Sequence, residues 1–165
     1  MCKVLLISDA NILIDVLDGG VIEQFFQLDF DYAVPDVLYH DEIKRQHPEL
    51  IDYGLIIKEL SEKAVDDALS LNTEHHKTGV SVIDCMALAL ARQEKCPLLT
   101  GDNALRQVSL GEGADVRGTI WIIGEMLEAE LLTGNEAECA YRLMKENGSR
   151  LPWDETKAQV KKYIK

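Results

Sequence analysis

The strongest constraint on the fold is a short segment near the start of the chain, residues 3–8, which is almost wholly aliphatic and stops at Asp9. A strand that is apolar on both faces belongs in the middle of a parallel sheet. Residues 96–100 form a second such strand, with Pro97 near its start, where a missing N–H is tolerated. Further strands are expected at residues 32–34, 55–60 and 115–116. Helical segments separate the strands as far as Val116, which predicts an α/β fold around a mainly parallel sheet of about five strands.

Capping residues and apolar periodicity place the helices. Ser81 is a natural N-cap for a helix that ends near Lys95, and Ser61 caps a helix over residues 62–71. Asp36 is expected to cap a helix that runs to about Arg45. Other helices are expected at residues 11–17, 21–28, 103–108, 119–132, 136–146 and 153–164. Because no repeat or linker interrupts the chain, residues 1–165 are predicted to form one domain, with a core over residues 3–116 and C-terminal helices over residues 117–165.

The charge of the chain excludes one class of function. It has 17 Lys and Arg residues against 29 Asp and Glu residues, a formal net charge of −12. A protein that coats nucleic acid carries a basic field, which such a charge opposes. A nucleic-acid enzyme stays compatible with this charge, because bound metal ions supply local positive charge.

Cysteine usage and hydropathy predict a cytoplasmic protein. The four cysteines, Cys2, Cys85, Cys96 and Cys139, are scattered and form no CxxC motif. That pattern is typical of reduced thiols rather than of a disulfide framework. No apolar run approaches the ~20 residues of a membrane-spanning helix, so no membrane partner is expected.

Carboxylates stand where a parallel sheet places its ligands, outside the carboxyl ends of the strands. Asp9 and Asp102 follow the two strongly apolar strands. Asp84 lies in the first helical turn after Ser81, and Glu42 lies inside the helix after the second strand. Singly, each acid has a structural interpretation, as an N-cap, as a charge that complements a helix dipole, or as an exposed helix residue.

The joint placement of these acids favours a metal site. An unpaired buried carboxylate costs on the order of several kcal/mol. No basic residue adjoins Asp9, Asp84 or Asp102 in the sequence. A divalent cation is the natural partner for such a group, and a set of oxygen ligands selects Mg²⁺ or Mn²⁺ over zinc.

Four segments of the chain resemble the signature motifs of PIN-domain proteins, in the order of that family. They are Ile7-Ser8-Asp9-Ala10-Asn11, Val34-Pro35-Asp36-Val37 through Asp41-Glu42-Ile43, Ser81-Val82-Ile83-Asp84 through Ala87-Leu88-Ala89-Leu90-Ala91, and Leu98-Leu99-Thr100-Gly101-Asp102. The resemblance implies a three-layer α/β/α sandwich. It also implies a metal-dependent endoribonuclease that acts on single-stranded RNA, in a family that includes the toxins of prokaryotic toxin–antitoxin pairs, so that an antitoxin protein is a further expected partner.

The resemblance also carries site residues over to this chain. It assigns the catalytic and metal-binding acids to Asp9, Glu42, Asp84 and Asp102, with a supporting hydrogen-bonding shell of Asn11, Ser81 and Thr100. Glu42 is either a ligand or a general base, and the sequence leaves both roles open. Arg106 is the best-placed contact for a substrate phosphate. Many relatives have another acid soon after the fourth aspartate, whereas Asn103 follows it here, so a second ion is expected to bind weakly.

Two other functions are compatible with the same residues. A non-catalytic PIN-like module would keep the acids for folding and use its surface for a protein partner. A phosphohydrolase of the haloacid-dehalogenase type also begins with an aspartate after a strand. That class needs a second aspartate two residues later, where this chain has Asn11, and a late lysine that the chain does not show.

Two further features are predicted to be structural. His75 and His76 are expected to form an exposed pair in a loop, because no zinc-ligand spacing accompanies them. The apolar face of the helix at residues 119–132 is expected to pack in the core, with a homodimer contact as the alternative.

Overall fold

The computed structural model describes residues 3–164. The strands are β1 Val4–Ser8, β2 Phe30–Pro35, β3 Ile56–Lys58, β4 Leu98–Leu99 and β5 Val116–Arg117. They form one parallel sheet in the order β3-β2-β1-β4-β5. Ile7 of β1 pairs with Ala33 on one side and with Leu98 on the other. The first strand is therefore central, which confirms the prediction from its two apolar faces.

Helices connect these strands, as parallel pairing requires. They are α1 Ala10–Asp18, α2 Ile22–Gln27, α3 Asp36–Leu38, α4 Leu50–Tyr53, α5 Glu62–Glu74, α6 Val82–Glu94, α7 Asn103–Gly111, α8 Thr119–Glu128, α9 Gly134–Glu146 and α10 Trp153–Lys161. A π-helical turn, Tyr39–Ile43, follows α3, and a 3-10 turn, His76–Thr78, follows α5. Between residues 3 and 164, no helix combines the length and the apolar character needed to cross a bilayer.

Burial along β1 increases toward its carboxyl end. Val4 is 53% exposed, whereas Ser8 is fully buried and Asp9, which follows the strand, is 3% exposed. Thr100, which follows the neighbouring strand β4, is 2% exposed. Polar groups at this edge of the sheet are therefore removed from water and depend on partners within the protein.

Local capping explains where two of the helices begin. The Ser81 hydroxyl accepts from the N–H of Asp84, and the Asp84 carboxylate accepts from the N–H of Ser81, each at 3.0 Å. This reciprocal pair is a capping box at the start of α6, and it confirms Ser81 as the predicted N-cap. The Ser61 hydroxyl caps α5 in the predicted way by accepting from the N–H of Ala64 at 3.1 Å.

The predicted helix after the second strand is wrong in its start and in its regularity. Pro35, with φ −59° and ψ 144°, precedes the helix, so Asp36 is the first helical residue and not the N-cap. Only three residues are α-helical, after which the N–H of Lys44 donates to the carbonyl of Tyr39 at 2.8 Å, the bond of a π turn. This wider turn leaves Tyr39 and Ile43 both in the core, 3% and 2% exposed.

Two C-terminal helices end earlier than predicted. The helix expected over residues 119–132 ends at Glu128, because Glu130 has φ of 59° and the N–H of Leu131 turns back to the carbonyl of Met126 at 2.9 Å. Within α8, Ile123 and Met126 are fully buried in the single chain, so its apolar face packs in the core and is not free for a dimer. The helix expected over residues 153–164 ends at Lys161.

Candidate active site

Asp9 follows β1 and begins α1 as its N-cap. Its Oδ1 accepts from the N–H of Ile12 at 3.0 Å, and its Oδ2 accepts from the hydroxyl of Thr100. Burial raises the pKa of Asp9 to about 7, although the hydrogen bonds from Thr100 and Ile12 favour the ionised form. The negative charge of Asp84 raises this pKa further. The site therefore holds a carboxyl group whose ionised form a nearby cation would stabilise.

Thr100 links Asp9 to Asp102. Its hydroxyl donates to the Asp9 carboxylate and accepts from the N–H of Asp102 at 3.0 Å. Asp102 is the N-cap of α7, where its Oδ1 accepts from the N–H of Leu105 at 2.8 Å. One buried hydroxyl thus fixes the relative position of two acids that follow adjacent strands.

Asp84 couples Asp9 to Glu42. Its charge raises the pKa of both carboxyl groups. Asp84 is half-buried and held by its hydrogen bonds to Ser81, whereas Glu42 is exposed on the π turn. Partial burial is the main cause of the raised pKa of Glu42, followed by the charges of Asp84 and Asp41. Three of the four predicted acids therefore share one negative region, and the fourth is linked to Asp9 through Thr100.

The four acids do not form a closed set of ligands in this structure. Among residues 3–164, the only three metal-ligating side chains whose ligand atoms all lie within 4.8 Å of one another are Glu74, His75 and Glu112. No three of the predicted acids therefore contact one ion directly in this conformation. Mg²⁺ is typically held by one or two carboxylates, with water and substrate phosphate completing its shell.

The residues present fit a hard divalent cation. Within residues 3–164, no Lys, Arg or His nitrogen lies within 4.0 Å of a carboxylate oxygen of Asp9, Glu42, Asp84 or Asp102. A buried carboxylate without a cationic partner is unfavourable, and its charged neighbours make it more so. The donor set is all oxygen, which matches Mg²⁺ or Mn²⁺ rather than zinc.

Asn11 and Gly101 meet beside Asp9. Asn11 is exposed in the first turn of α1, and its Cβ lies 3.6 Å from the position that a Cβ on Gly101 would take. The turn between Thr100 and Asp102 therefore packs closely on α1. A larger residue at position 101 would stand in contact with Asn11.

Asp15 is a buried acid that was not among the residues predicted for the site. It is 9% exposed, and its Oδ2 accepts from the Thr119 hydroxyl at 2.9 Å. Burial raises its pKa, while hydrogen bonds from Thr119 and Ser149 act in the opposite direction. The same oxygen lies 3.7 Å from the Cβ position at Gly101. A lone carboxylate inside the apolar run of α1 is the sequence signal that marks it.

Arg106 lies beside the acids, on α7. It lines a cavity of 620 Å³ together with Asp102 and Thr100. Two further arginines that were not predicted for the site, Arg117 and Arg150, line the same cavity. They come from β5 and from the connection before α10, so no local motif joins them to Arg106.

The expectation for His75 is wrong. His75 is half-buried, and its Nε2 lies 2.9 Å from Oε1 of Glu112, which belongs to the C-terminal end of α7. The other carboxylate oxygen of Glu112 lies 3.7 Å from Nη1 of Arg92. A partner 37 residues away in the sequence cannot be found from local spacing. His76 is exposed.

Comparison with known proteins gives the family of this fold and site. The family model DUF3368, described as PIN domain, matches residues 5–164. A search of the curated proteins found no match. One similar solved structure is VapBC2 from Rickettsia felis bound to a DNA fragment from their promoter, with 15% identity, 69% of this chain and 98% of that chain covered, and a TM-score of 0.49. Another is PAE2754 from Pyrobaculum aerophilum, with 12% identity, 78% and 98% covered, and a TM-score of 0.53.

The chain belongs to the PIN-domain family, since the family model matches nearly all of it. The match confirms the resemblance drawn from the four sequence segments. The likeness to the Pyrobaculum structure, together with the five parallel strands, confirms the PIN-like α/β fold.

Proposed function

We propose that this chain is a Mg²⁺- or Mn²⁺-dependent endoribonuclease that hydrolyses phosphodiester bonds of single-stranded RNA. Asp9 carries the proposal, as a carboxylate that is 3% exposed and follows the central strand at the edge where parallel sheets bind ligands. The charge of Asp84 reaches both Asp9 and Glu42, and Asp102 is joined to Asp9 through Thr100. A negative site that includes a desolvated carboxylate is favourable once it holds a cation.

The residues of the site have separate tasks in this proposal. Asp9 and Asp102 would hold the cation, with Asp84 as the next ligand. When bound, the cation lowers the pKa of a water molecule and offsets the charge of the phosphate. Thr100 keeps Asp9 and Asp102 in a fixed relation. Glu42 is exposed, with a raised pKa, and either binds the cation or accepts the proton of the attacking water.

Cleavage of a fluorescent single-stranded RNA by the purified protein tests the proposal. Activity is expected with Mg²⁺ or Mn²⁺ and absent in EDTA or with Ca²⁺ alone, because Ca²⁺ binds with longer and looser geometry. Asp9→Asn is expected to abolish cleavage, whereas Glu138→Gln, a change at an exposed acid on α9, is expected to leave it unchanged. Full activity in EDTA, or full activity of Asp9→Asn, would remove the acidic site from consideration. Turnover of small phosphate esters without RNA cleavage would favour the phosphohydrolase alternative.

We extend the proposal to a toxin with a protein antitoxin as its partner, on the basis of the four PIN-type segments. Expression of the wild-type chain in a bacterium is expected to stop growth, and expression of Asp9→Asn is not. Co-expression of a small protein encoded beside this chain is expected to restore growth. If both forms stopped growth, the arrest would not depend on Asp9 and hence not on the proposed cleavage. That result would contradict the proposed role as a ribonuclease toxin.

A further inference from the structure

The cavity of 620 Å³ beside Asp102 is built from three separate parts of the chain. The turn between β4 and α7, the turn between β5 and α8, and the connection from α9 to α10 each form one side. We call this cavity the arginine pocket, defined by Asp102, Arg106, Arg117, Trp121, Arg150 and Pro152. It adjoins the candidate active site because Asp102 and Thr100 belong to both.

The arginine pocket concentrates positive charge in an acidic protein. Three of the six arginines of the chain line it, although the whole chain has a net charge of −12. Arg117 is already engaged, since it donates twice to Asp115, at 2.8 and 3.1 Å, and its guanidinium lies 4.9 Å from the ring centre of Trp121. Within residues 3–164, no carboxylate oxygen lies within 4.0 Å of the guanidinium of Arg106 or Arg150. Each of these two guanidinium groups is therefore available to an anion without the loss of an ion pair.

The size and walls of the pocket define the class of ligand. Pockets of roughly 300–1,000 Å³ hold small organic ligands, so 620 Å³ is more than a bare phosphate fills. Guanidinium groups bind phosphate oxygens in a bidentate way. Ile120, Leu151 and Pro152 add apolar surface that suits a base or a sugar. Glu155 also lines the pocket, and its charge opposes a second phosphate group. These features together match one nucleotide.

We propose that the arginine pocket seats one nucleotide of the RNA strand, next to the phosphate that is cut, with Arg106 and Arg150 on the phosphate of that nucleotide. This inference rests on the proposed ribonuclease function. It makes the connection between α9 and α10 a part of the substrate site, because Arg150 belongs to that connection.

Binding of dinucleotides to the Asp9→Asn protein tests whether the arginine pocket seats a nucleotide, and no cleavage is needed for the measurement. The dinucleotides ApA, pApA and ApAp are used as competitors of a fluorescent single-stranded RNA. When the central phosphate of a dinucleotide occupies the cleavage site, one terminal phosphate of pApA or of ApAp reaches the arginine pocket. One of the two phosphorylated forms is expected to compete about tenfold better than ApA. Arg150→Gln is expected to abolish that advantage, whereas Arg142→Gln, a change at an exposed arginine on α9, is expected to retain it.

The outcomes separate this inference from the proposed function. Equal competition by all three dinucleotides, or an equal effect of Arg142→Gln and Arg150→Gln, would overturn the pocket. Inorganic phosphate that competes as well as the phosphorylated dinucleotide would overturn its nucleotide part. Arg106→Gln gives an independent second variant, and melting curves verify that each variant folds. If the wild-type protein cleaves no RNA but the Arg150-dependent advantage remains, the ribonuclease proposal fails and the pocket stands.

Discussion

Burial and hydrogen bonding have opposite effects on the ionised form of Asp9. Burial disfavours its charge, and Thr100 and Ile12 favour it, with the result that the pKa rises from 3.8 to about 7. Between these two values the folded chain binds a proton that the unfolded chain has released. The metal-free protein should therefore lose stability as pH rises through this range, since stability falls wherever the native state binds more protons.

Asp9→Asn is expected to stabilise the metal-free protein, and more so at high pH. Ionised Asp9 carries an unfavourable free energy of roughly 4 kcal/mol if its pKa rises from 3.8 to about 7. Asn still caps α1, because its carbonyl accepts from the N–H of Ile12 as the carboxylate does. Urea unfolding in EDTA is expected to show a gain that is about 3 kcal/mol larger at pH 8 than at pH 5. Asp66→Asn, at an exposed acid of α5, is the control and should show no such difference. An equal gain of Asp9→Asn at both pH values would contradict the assigned pKa.

Thr100→Val tests the buried hydroxyl at nearly constant volume. It leaves the N–H of Asp102 and one oxygen of Asp9 without their partner, so a loss of about 1–3 kcal/mol in the free energy of unfolding is expected. The pKa of Asp9 is also expected to rise further, because a hydrogen bond to its charged form is lost. Thr100→Ser keeps the hydroxyl and should lose less. If the valine and serine variants were equally stable with the same pH dependence, the hydroxyl would have no such role.

At the scale of elements, the capping box of α6 has two separable parts. The Ser81 hydroxyl satisfies the N–H of Asp84, and the Asp84 carboxylate satisfies the N–H of Ser81 while its charge acts on Asp9 and Glu42. Helix formation needs the acceptor atoms, whereas cation binding needs the charge. Substitutions that remove one property at a time therefore distinguish a structural role from a functional one.

Ser81→Ala and Asp84→Asn are expected to have opposite profiles. Ser81→Ala removes the N-cap and should cost about 1 kcal/mol of stability, with RNA cleavage retained below its melting temperature. Asp84→Asn keeps an acceptor for the N–H of Ser81 and should lose cleavage with little loss of stability. It should also lower the pKa of Glu42, because one negative neighbour is gone. Thermal melts and single-turnover cleavage on the same preparations provide the comparison, and full activity of Asp84→Asn would exclude its charge from the reaction.

At the scale of the whole molecule, features that depend on adjacent residues could be predicted from the sequence, whereas features that depend on distant residues could not. A few adjacent residues are enough to predict the caps at Ser61 and Ser81, and the same is true of the apolar strand before Asp9. The π turn after α3 depends on which side chains reach the core, a property of the packed molecule. The bond between Asp15 and Thr119 joins residues 104 positions apart, and the arginine pocket joins three distant segments. The sequence shows which residues are present, but it does not show that these residues lie close together in the fold.

The salt dependence of RNA binding reports how much of the molecule touches the strand. Two cavities carry clustered cations, namely the arginine pocket with three and the groove between α9 and α10 with Arg142, Lys145, Lys157 and Lys161. For single strands, log affinity falls with log salt by about 0.7 per phosphate neutralised. Contact with the arginine pocket alone, where Arg106 and Arg150 share one phosphate, therefore predicts a slope of about −0.7. Contact of the four cations of the groove with four more phosphates predicts about −3.5.

A slope of about −0.7 is the expected result, because the proposed site needs only the cations beside Asp102. The measurement uses Asp9→Asn in EDTA, with fluorescence anisotropy of a short RNA at several concentrations of KCl. Arg106→Gln and Arg150→Gln should each make the slope less negative, by at most about 0.7, and Lys157→Gln on α10 should leave it unchanged. If Lys157→Gln reduced the slope as well, the strand would also bind the groove between α9 and α10. RNA would then contact a second basic surface in addition to the arginine pocket, despite the net negative charge of the chain.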